Sequence, residues 1–332
     1  MRFAVIGTNW ITDRFLEAAH LIDEFQLTAV YSRTEDRARE FASKYNVDTI
    51  YTSVKDLANS DVVDAVYIAS PTAFHAEHAI TCMEGGKHVL VEKPFASNVY
   101  EVEKMIQTAK DNKVLLMEAM KTTLVPNFEK VKENLNKIGP VRRYVANFCQ
   151  YSSRYDKYKE GIVLNAFKPE LSNGSLMDIG VYCLYPMIAL FGEPEKVQAN
   201  AWMLDSGVDG EGTVVATYDD LIGVTMFSKV TNSTLPSEIQ GEKGSIVIGK
   251  FSDMEDLKIV YHDGTEEIIE TNQRKESMYY ETKAFIETCK AGKLQNEINS
   301  WDVSLQTMKV LDESRQQIGL IFPADRGWDR RI

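Results

Sequence analysis

Phe3-Ala4-Val5-Ile6-Gly7-Thr8-Asn9-Trp10-Ile11-Thr12 is the stretch whose reading decides the fold class. Four apolar residues run into a glycine, and Ile11, Phe15, Ala19 and Ile22 then recur at near-helical spacing. A buried strand that turns at glycine into a helix is the setting of a dinucleotide turn. That turn needs a sharp bend, close backbone approach to pyrophosphate, and a helix N-terminus whose open N–H groups favour anions. Only the first glycine of G-x-G-x-x-G is present. Asn9 replaces the second, a residue that tolerates left-handed backbone, and Thr12 replaces the third. Gly7, Thr8, Asn9, Trp10 and Ile11 are the expected pyrophosphate-facing residues.

The pattern continues outward from this stretch. Leu27–Tyr31, Ala65–Ala69, Val89–Val91 and Val114–Met117 are further apolar runs. Ala38, Phe41, Ala42 and Tyr45, then Val102, Met105, Ile106 and Ala109, form helical stripes, with Thr34 as an expected N-cap. Continuous apolar strands separated by amphipathic helices mean a parallel sheet covered on both faces. After about Glu118 the pattern changes. Pro126 and Gly139-Pro140 punctuate the chain, and β-type segments follow at Val141–Gln150, Lys196–Met203, Gly212–Tyr218, Gly223–Val230, Ser245–Ile248, Leu257–Tyr261 and Glu266–Glu270. Asp219-Asp220 and Asp263-Gly264 read as hairpin turns, and Tyr279–Lys290 and Trp301–Gln317 as helices. The expected fold is α/β: an N-terminal doubly wound Rossmann domain over 1–120, plus a C-terminal α+β domain over 121–332 with an open, mostly antiparallel sheet.

Composition narrows the function classes. The chain has 332 residues, 44% hydrophobic and 26% charged, and a net charge of −12. The acidity is even, −6 in residues 1–120 and −6 in the remainder, with no basic arm, so no nucleic-acid partner is expected. Phe3–Ile6 is too short for a secretory h-region. The longest uncharged stretch, Ile179–Gly192, falls below the ~20 residues that cross a bilayer, so no membrane role is expected. Cys82, Cys149, Cys183 and Cys289 are scattered and read as reduced, buried thiols of a cytoplasmic protein. The five histidines show no metal-ligand spacing, so no metal is expected.

Three further places carry chemistry. The end of the second strand reads Ser32-Arg33-Thr34, with Arg37 a helical turn on, where a cofactor with a free ribose 2′-hydroxyl usually meets an acidic side chain. A guanidinium suits a 2′-phosphate, so NADP is favoured over NAD; the same arginines also fit a solvated helix start. Lys93 follows a buried strand and precedes a proline, which puts it at the ligand-binding carboxyl edge of the sheet. Asp178 and Tyr182 stand four residues apart on an apolar helix, a spacing that turns both toward one side. Tyr185 lies off that register and reads as packing.

Ala69-Ser70-Pro71-Thr72 with His75, then Gly86-Lys87-His88-Val89-Leu90-Val91-Glu92-Lys93-Pro94, then Gly174-Ser175-Leu176-Met177-Asp178-Ile179-Gly180-Val181-Tyr182, follow in one order along the chain. In these motifs the sequence resembles the glucose–fructose oxidoreductase/inositol dehydrogenase/rhizopine-catabolism (Gfo/Idh/MocA) family, over essentially its whole length. The resemblance implies hydride transfer between a nicotinamide cofactor and a CH–OH or carbonyl carbon. It adds Ala69, Ser70, Pro71, His75, Glu92, Lys93 and Pro94 to the cofactor-binding residues. It also implies Tyr182 as general acid/base, Lys93 as its electrostatic partner and donor to the substrate hydroxyl, and Asp178 as the group that orients substrate or Lys93. A tyrosine, with an ordinary pKa of about 10, needs such a cation to work near neutral pH.

Tyrosine at position 182 resembles the glucose–fructose oxidoreductase and dihydrodiol dehydrogenase branch; inositol dehydrogenases usually have histidine there. The expected function is therefore NAD(P)-dependent oxidation or reduction of a small sugar, polyol or related carbonyl. The alternatives are an NAD-dependent inositol-type dehydrogenase and a non-catalytic dinucleotide-binding sensor; a redox-assisted glycosidase is a further family possibility. Where relatives often carry Arg-aromatic-x-Pro, this chain has Thr123-Leu124-Val125-Pro126, which leaves the particular sugar or diol open. The resemblance implies that the second domain binds substrate and forms the oligomer, a homodimer or homotetramer, with Trp202, Met226 and Phe227 as candidate contact residues; the same residues could line the domain's own core.

Overall fold

The computed structural model describes residues 1–269 and 272–326. By contacts the described residues form two compact units, one of residues 1–121 and 274–305, the other of 122–269, 272–273 and 306–326.

The first unit alternates β1 (Arg2–Ile6), α1 (Trp10–Ala19), β2 (Gln26–Tyr31), α2 (Glu35–Ser43), β3 (Ile50–Tyr51), α3 (Val54–Ala58), β4 (Ala65–Ile68), α4 (His75–Glu84), β5 (His88–Glu92), α5 (Val99–Asn112) and β6 (Leu116–Ala119). Its strands pair in parallel in the order β3-β2-β1-β4-β5-β6, the doubly wound dinucleotide-binding order. The strands are nearly all apolar because helices cover both faces: Phe3 to Ile6 and Ala65 to Ile68 are fully buried. β3, two half-buried residues long, was not legible as an apolar run.

The second unit begins with α6 (Pro126–Asn134), β7 (Val141–Cys149), α7 (Ser153–Lys159) and α8 (Val181–Phe191). It continues with β8 (Lys196–Met203), β9 (Asp209–Thr217), β10 (Ile222–Ser228), β11 (Ser237–Gly241), β12 (Gly244–Lys250), β13 (Glu255–Tyr261) and β14 (Glu266–Ile268). Residue Glu270, the expected end of the last strand, lies outside the described residues. These strands form one eight-stranded sheet, β14-β13-β12-β11-β7-β10-β9-β8, antiparallel except where β10 runs parallel to β7. One face is core: Tyr144, Ala146, Val214, Phe227, Ile239, Ile246 and Ile259 are buried. The Tyr144 hydroxyl donates to the Cys183 carbonyl of α8 at 2.8 Å. The other face stays half-exposed, with Val215, Val224 and Val145 side by side in register.

Strand alternation corrects one expectation. Met226 lies on the half-exposed face, but its neighbour Phe227 points the opposite way, into the core against Gly180 and Gly212. Trp202 is 52% exposed. The stretch Pro169–Phe191 is long and apolar enough by composition to cross a membrane, yet 72% of its most apolar window is buried inside the protein. Cys82 and Cys183 are buried, whereas Cys149 and Cys289 are only partly so.

After the sheet the chain returns to the first unit through α9 (Met278–Lys290), which two consecutive domains divided at 120 do not include. The reason is packing. Phe285 lies 5.7 Å from Phe3, and the Leu294 carbonyl accepts from Leu116 N–H at 3.1 Å on the outer edge of β6. Helix α10 (Trp301–Ile318) follows, grouped with the first unit up to Leu305 and with the second from Gln306.

Candidate active site

In the first unit the turn after β1 is held by backbone. Gly7 has φ +110°, and a Cβ there would lie 2.5 Å from the Ala69 carbonyl oxygen. Only glycine lets the turn pass so near the end of β4. Asn9 is not left-handed, as its place in the motif suggested; it is extended at φ −113°. Its side chain caps α1, accepting from Ile11 N–H at 2.9 Å and donating to the Ala69 carbonyl at 2.9 Å. Thr12 is fully buried and its hydroxyl donates to the Gly7 carbonyl at 2.9 Å. The two lost glycines are thus replaced by side chains that lock the turn. Trp10 stands 56% exposed at the start of the helix.

At the end of β2, Ser32 is half-buried and Arg33 is exposed. Residues 31–34 carry three hydroxyls, of Tyr31, Ser32 and Thr34, and one guanidinium, of Arg33, and no carboxylate, a donor set suited to a phosphate monoester. Arg37 is used otherwise. Its guanidinium donates to the Thr8 carbonyl at 2.6 Å and hydroxyl at 3.2 Å, and pairs with Glu40 at 2.7 Å, strapping the glycine turn to α2. Ser70 and Pro71 follow β4. His75 is 1% exposed, with Nε2 2.8 Å from the Ser70 carbonyl and Nδ1 3.0 Å from the Pro94 carbonyl. Burial pushes its pKa down to about 4, so the neutral ring has one N–H for two carbonyls and braces the two loops from behind.

Lys93 is half-buried directly after β5, ahead of Pro94. Behind it lie three buried carboxyls. Glu92 accepts from the Tyr67 hydroxyl at 2.6 Å; Glu118, on β6, sits opposite Val91; Glu281 is on α9. Burial raises all three, Glu118 to about 8, although Lys93 pulls Glu92 and Glu118 back down. Neither Glu281 oxygen has a partner among the described residues. Lys121 reaches Ser277, one turn before Glu281, at 3.1 Å. Motif reading missed Glu118 and Glu281; a charged residue on a buried strand was the available signal for the first.

The raised Glu118 has a definite consequence for stability. Its carboxyl keeps its proton to about pH 8 in the folded chain but loses it near 4.5 when unfolded, so its contribution is present below 4.5 and lost as pH rises through about 8. Glu118→Gln is expected to gain on the natural chain by about 2–4 kcal/mol between pH 5 and pH 8.5 in denaturant unfolding. Parallel curves across that range would contradict the assignment.

In the second unit the landmark around residue 174 is organised by a buried acid. Gly174 has φ +148°, and a Cβ there would meet Asp209 Oδ1 at 2.1 Å. Asp209 is fully buried and its Oδ2 accepts from Leu176 N–H at 2.6 Å. Burial pushes its pKa up to about 6, opposed by backbone N–H groups and by Lys229. Residues 176–180 form a π turn before α8, so Asp178 and Tyr182 do not share a regular α-helical face. At the start of this turn Asp209 accepts from the Leu176 N–H, and Phe227 packs on Gly180, where a Cβ would be 3.1 Å from its ring. Tyr182 is half-buried, edge-on to Phe148 at 5.5 Å. Asp178 pairs with Lys229, whose side chain is 3% exposed. Lys229 was not read from the sequence as a site residue; a lysine inside the apolar run Gly223–Val230 was the signal. Tyr185 is buried, as its register implied, and Thr123 and Val125 are buried ahead of Pro126, the first residue of α6.

Comparison with known proteins gives the family. Residues 1–120 match the oxidoreductase family described as having an NAD-binding Rossmann fold, and residues 128–247 match the Gfo/Idh/MocA C-terminal domain. The chain is 56% identical to scyllo-inositol 2-dehydrogenase (NADP(+)) of Bacillus subtilis strain 168, over 98% of this chain and 99% of the relative. It is 30% identical to trans-1,2-dihydrobenzene-1,2-diol dehydrogenase of Xenopus tropicalis, over 97% and 99%. In fold it is similar to a 3-ketoreductase from Actinomadura kijaniata, with a TM-score of 0.80 at 23% identity over 96% and 98% of the two chains.

Proposed function

Because the chain belongs to the Gfo/Idh/MocA family of oxidoreductases, we propose that it oxidises a ring carbinol of a cyclic polyol of the scyllo-inositol type with NADP+. That it is an NAD(P)-dependent dehydrogenase acting on CH–OH groups follows from the family. The substrate reading is carried by the 56% identity to an NADP-dependent scyllo-inositol dehydrogenase, against 30% to a diol dehydrogenase. This reverses the order expected from Tyr182, which put the sugar and diol branch first and tied an inositol substrate to NAD.

The bound nicotinamide supplies the hydride acceptor. This chain's residues supply the rest. Gly7, Thr8, Asn9, Trp10 and Ile11 bind the pyrophosphate at the N-terminus of α1, and Ser32 with Arg33 takes the ribose 2′-phosphate. Arg37 and His75 position loops rather than touch the cofactor. Ala69, Ser70 and Pro71 border the nucleotide, with Glu92 and Pro94 flanking Lys93. Lys93 holds the reacting oxygen, Tyr182 takes its proton, and Asp178 accepts from neighbouring hydroxyls. The proposed compartment is the cytoplasm, a reading supported by four free thiols. The half-exposed sheet face, with Val145, Val224, Val215, Met226 and Trp202, is the proposed oligomer contact; a monomeric mass at micromolar protein would contradict it.

The test is steady-state kinetics with scyllo-inositol, myo-inositol and a trans-dihydrodiol, each with NADP+ and NAD+. The highest kcat/KM is expected for scyllo-inositol with NADP+. Arg33→Ala should weaken NADP+ by about 10-fold or more and leave NAD+ nearly unchanged. Equal loss of both cofactors would contradict the ribose assignment, and preference for the diol would contradict the substrate.

A further inference from the structure

We propose that Lys229 is a positioning residue that holds Asp178 as an oriented carboxylate, so that Asp178 accepts hydrogen bonds from substrate hydroxyls and does not itself exchange a proton. The inference rests on the assignment of Asp178 to the polyol.

The geometry of Lys229 is unusual for a lysine. It follows β10 directly, and its backbone is pinned on both sides: its N–H donates to the Gly210 carbonyl at 2.9 Å, and its carbonyl accepts from Ser152 N–H at 2.9 Å. The stem is buried, and the ammonium lies 5.6 Å from the centre of the Phe167 ring and pairs with Asp178. Burying an ammonium costs several kcal/mol unless it is well paired. A structural ion pair of this unit shows what full pairing looks like: Arg315 with Asp312 and Asp325 has side-chain exposures of 2%, 4% and 1%. The Lys229 pair is lopsided. The cation is 3% exposed and the carboxylate 34%. The buried member is hidden where no polyol reaches it, and the exposed member is presented.

The surroundings support this division of labour. Asp209 on β9 faces the same ammonium but is fully buried and already caps Leu176. Glu211, further along β9, takes Ser228 and Thr231 hydroxyls at 3.4 Å. Tyr155 and Tyr158 on α7 pack on the Phe167 ring, and Lys159 is held by Asp156 at 2.9 Å. Tyr182 lies four residues along the chain from Asp178. Lys229 is thus a buried cation in contact with Asp178, and an ionised carboxylate is an acceptor at both oxygens, the form that suits vicinal hydroxyls.

The test compares Lys229→Met, Lys229→Arg, Asp178→Asn and the Lys229→Met/Asp178→Asn double variant on whichever carbinol the natural enzyme oxidises. Lys229→Met should raise KM about 10- to 100-fold with NADPH affinity unchanged. Without its cation Asp178 is more easily protonated, so the acid limb of kcat/KM should move up by about 1–2 pH units. Lys229→Arg should keep the limb in place. In the double variant, which leaves no unpaired charge, kcat/KM should match Asp178→Asn alone, so the proposal stays testable if Lys229→Met does not fold. Independent, multiplying losses, or an unmoved acid limb in folded Lys229→Met, would overturn it. Failure of the polyol reading shows separately, as a natural enzyme that turns over no cyclitol.

Discussion

Tyr182→Phe is expected to lower kcat by about 10²–10⁴ while leaving the fold and NADPH affinity in place. The phenyl ring keeps the edge-on contact with Phe148 at 5.5 Å, so packing of the residue is preserved. What goes is the hydroxyl that takes the proton as the carbinol carbon gives up hydride. Because that proton moves in the transition state, the loss should fall on kcat and kcat/KM together, with little change in KM. Single-turnover kinetics with saturating NADP+ would check it. Unchanged turnover would remove Tyr182 from the chemistry and leave proton transfer to another group.

Gly7→Ala should be the most damaging single change in the first unit. Alanine must adopt φ +110°, where L-residues are strained, and its Cβ would meet the Ala69 carbonyl oxygen at 2.5 Å. Neither the strain nor the contact can relax cheaply, because the Cβ is fixed by its own backbone and meets backbone, and Asn9 and Thr12 hold the turn. A cost of about 3 kcal/mol, lowering Tm by roughly 6 °C or more, is expected, with NADPH affinity falling at least as strongly. Calorimetry with and without NADPH measures both. A Tm and affinity equal to those of the natural chain would show that the turn is not built as described.

These two residues were legible in the sequence for different reasons. Gly7 stands where an apolar run becomes a helical stripe, and that change of period is local. The parallel pairing of the first sheet follows from repeating the same unit. Tyr182 was reached through a motif as well as through its spacing, and the structure puts a π turn between it and Asp178, so the four-residue helical argument does not describe how the two are arranged. What stayed hidden depends on tertiary register. An amphipathic helix announces that it has a core but not which one, so α9 could not be assigned to the first unit from its stripe. Phe227 and Met226 are adjacent in sequence and opposite in space, and only the sheet tells which is inside. Lys229 and Asp209 act through partners 51 and 33 residues away, Asp178 and Leu176. The substrate was the least legible of all: a single side chain at position 182 weighed less than identity over the whole chain.

The most direct measurement of the central claim is hydride transfer from scyllo-inositol deuterated at its ring carbons to NADP+, read by mass spectrometry of the reduced cofactor. The proposed reading as an NADP-dependent cyclitol dehydrogenase predicts NADPH carrying one deuterium per ketone formed. No reduced cofactor, reduction without deuterium, or transfer to NAD+ in preference to NADP+ would contradict it.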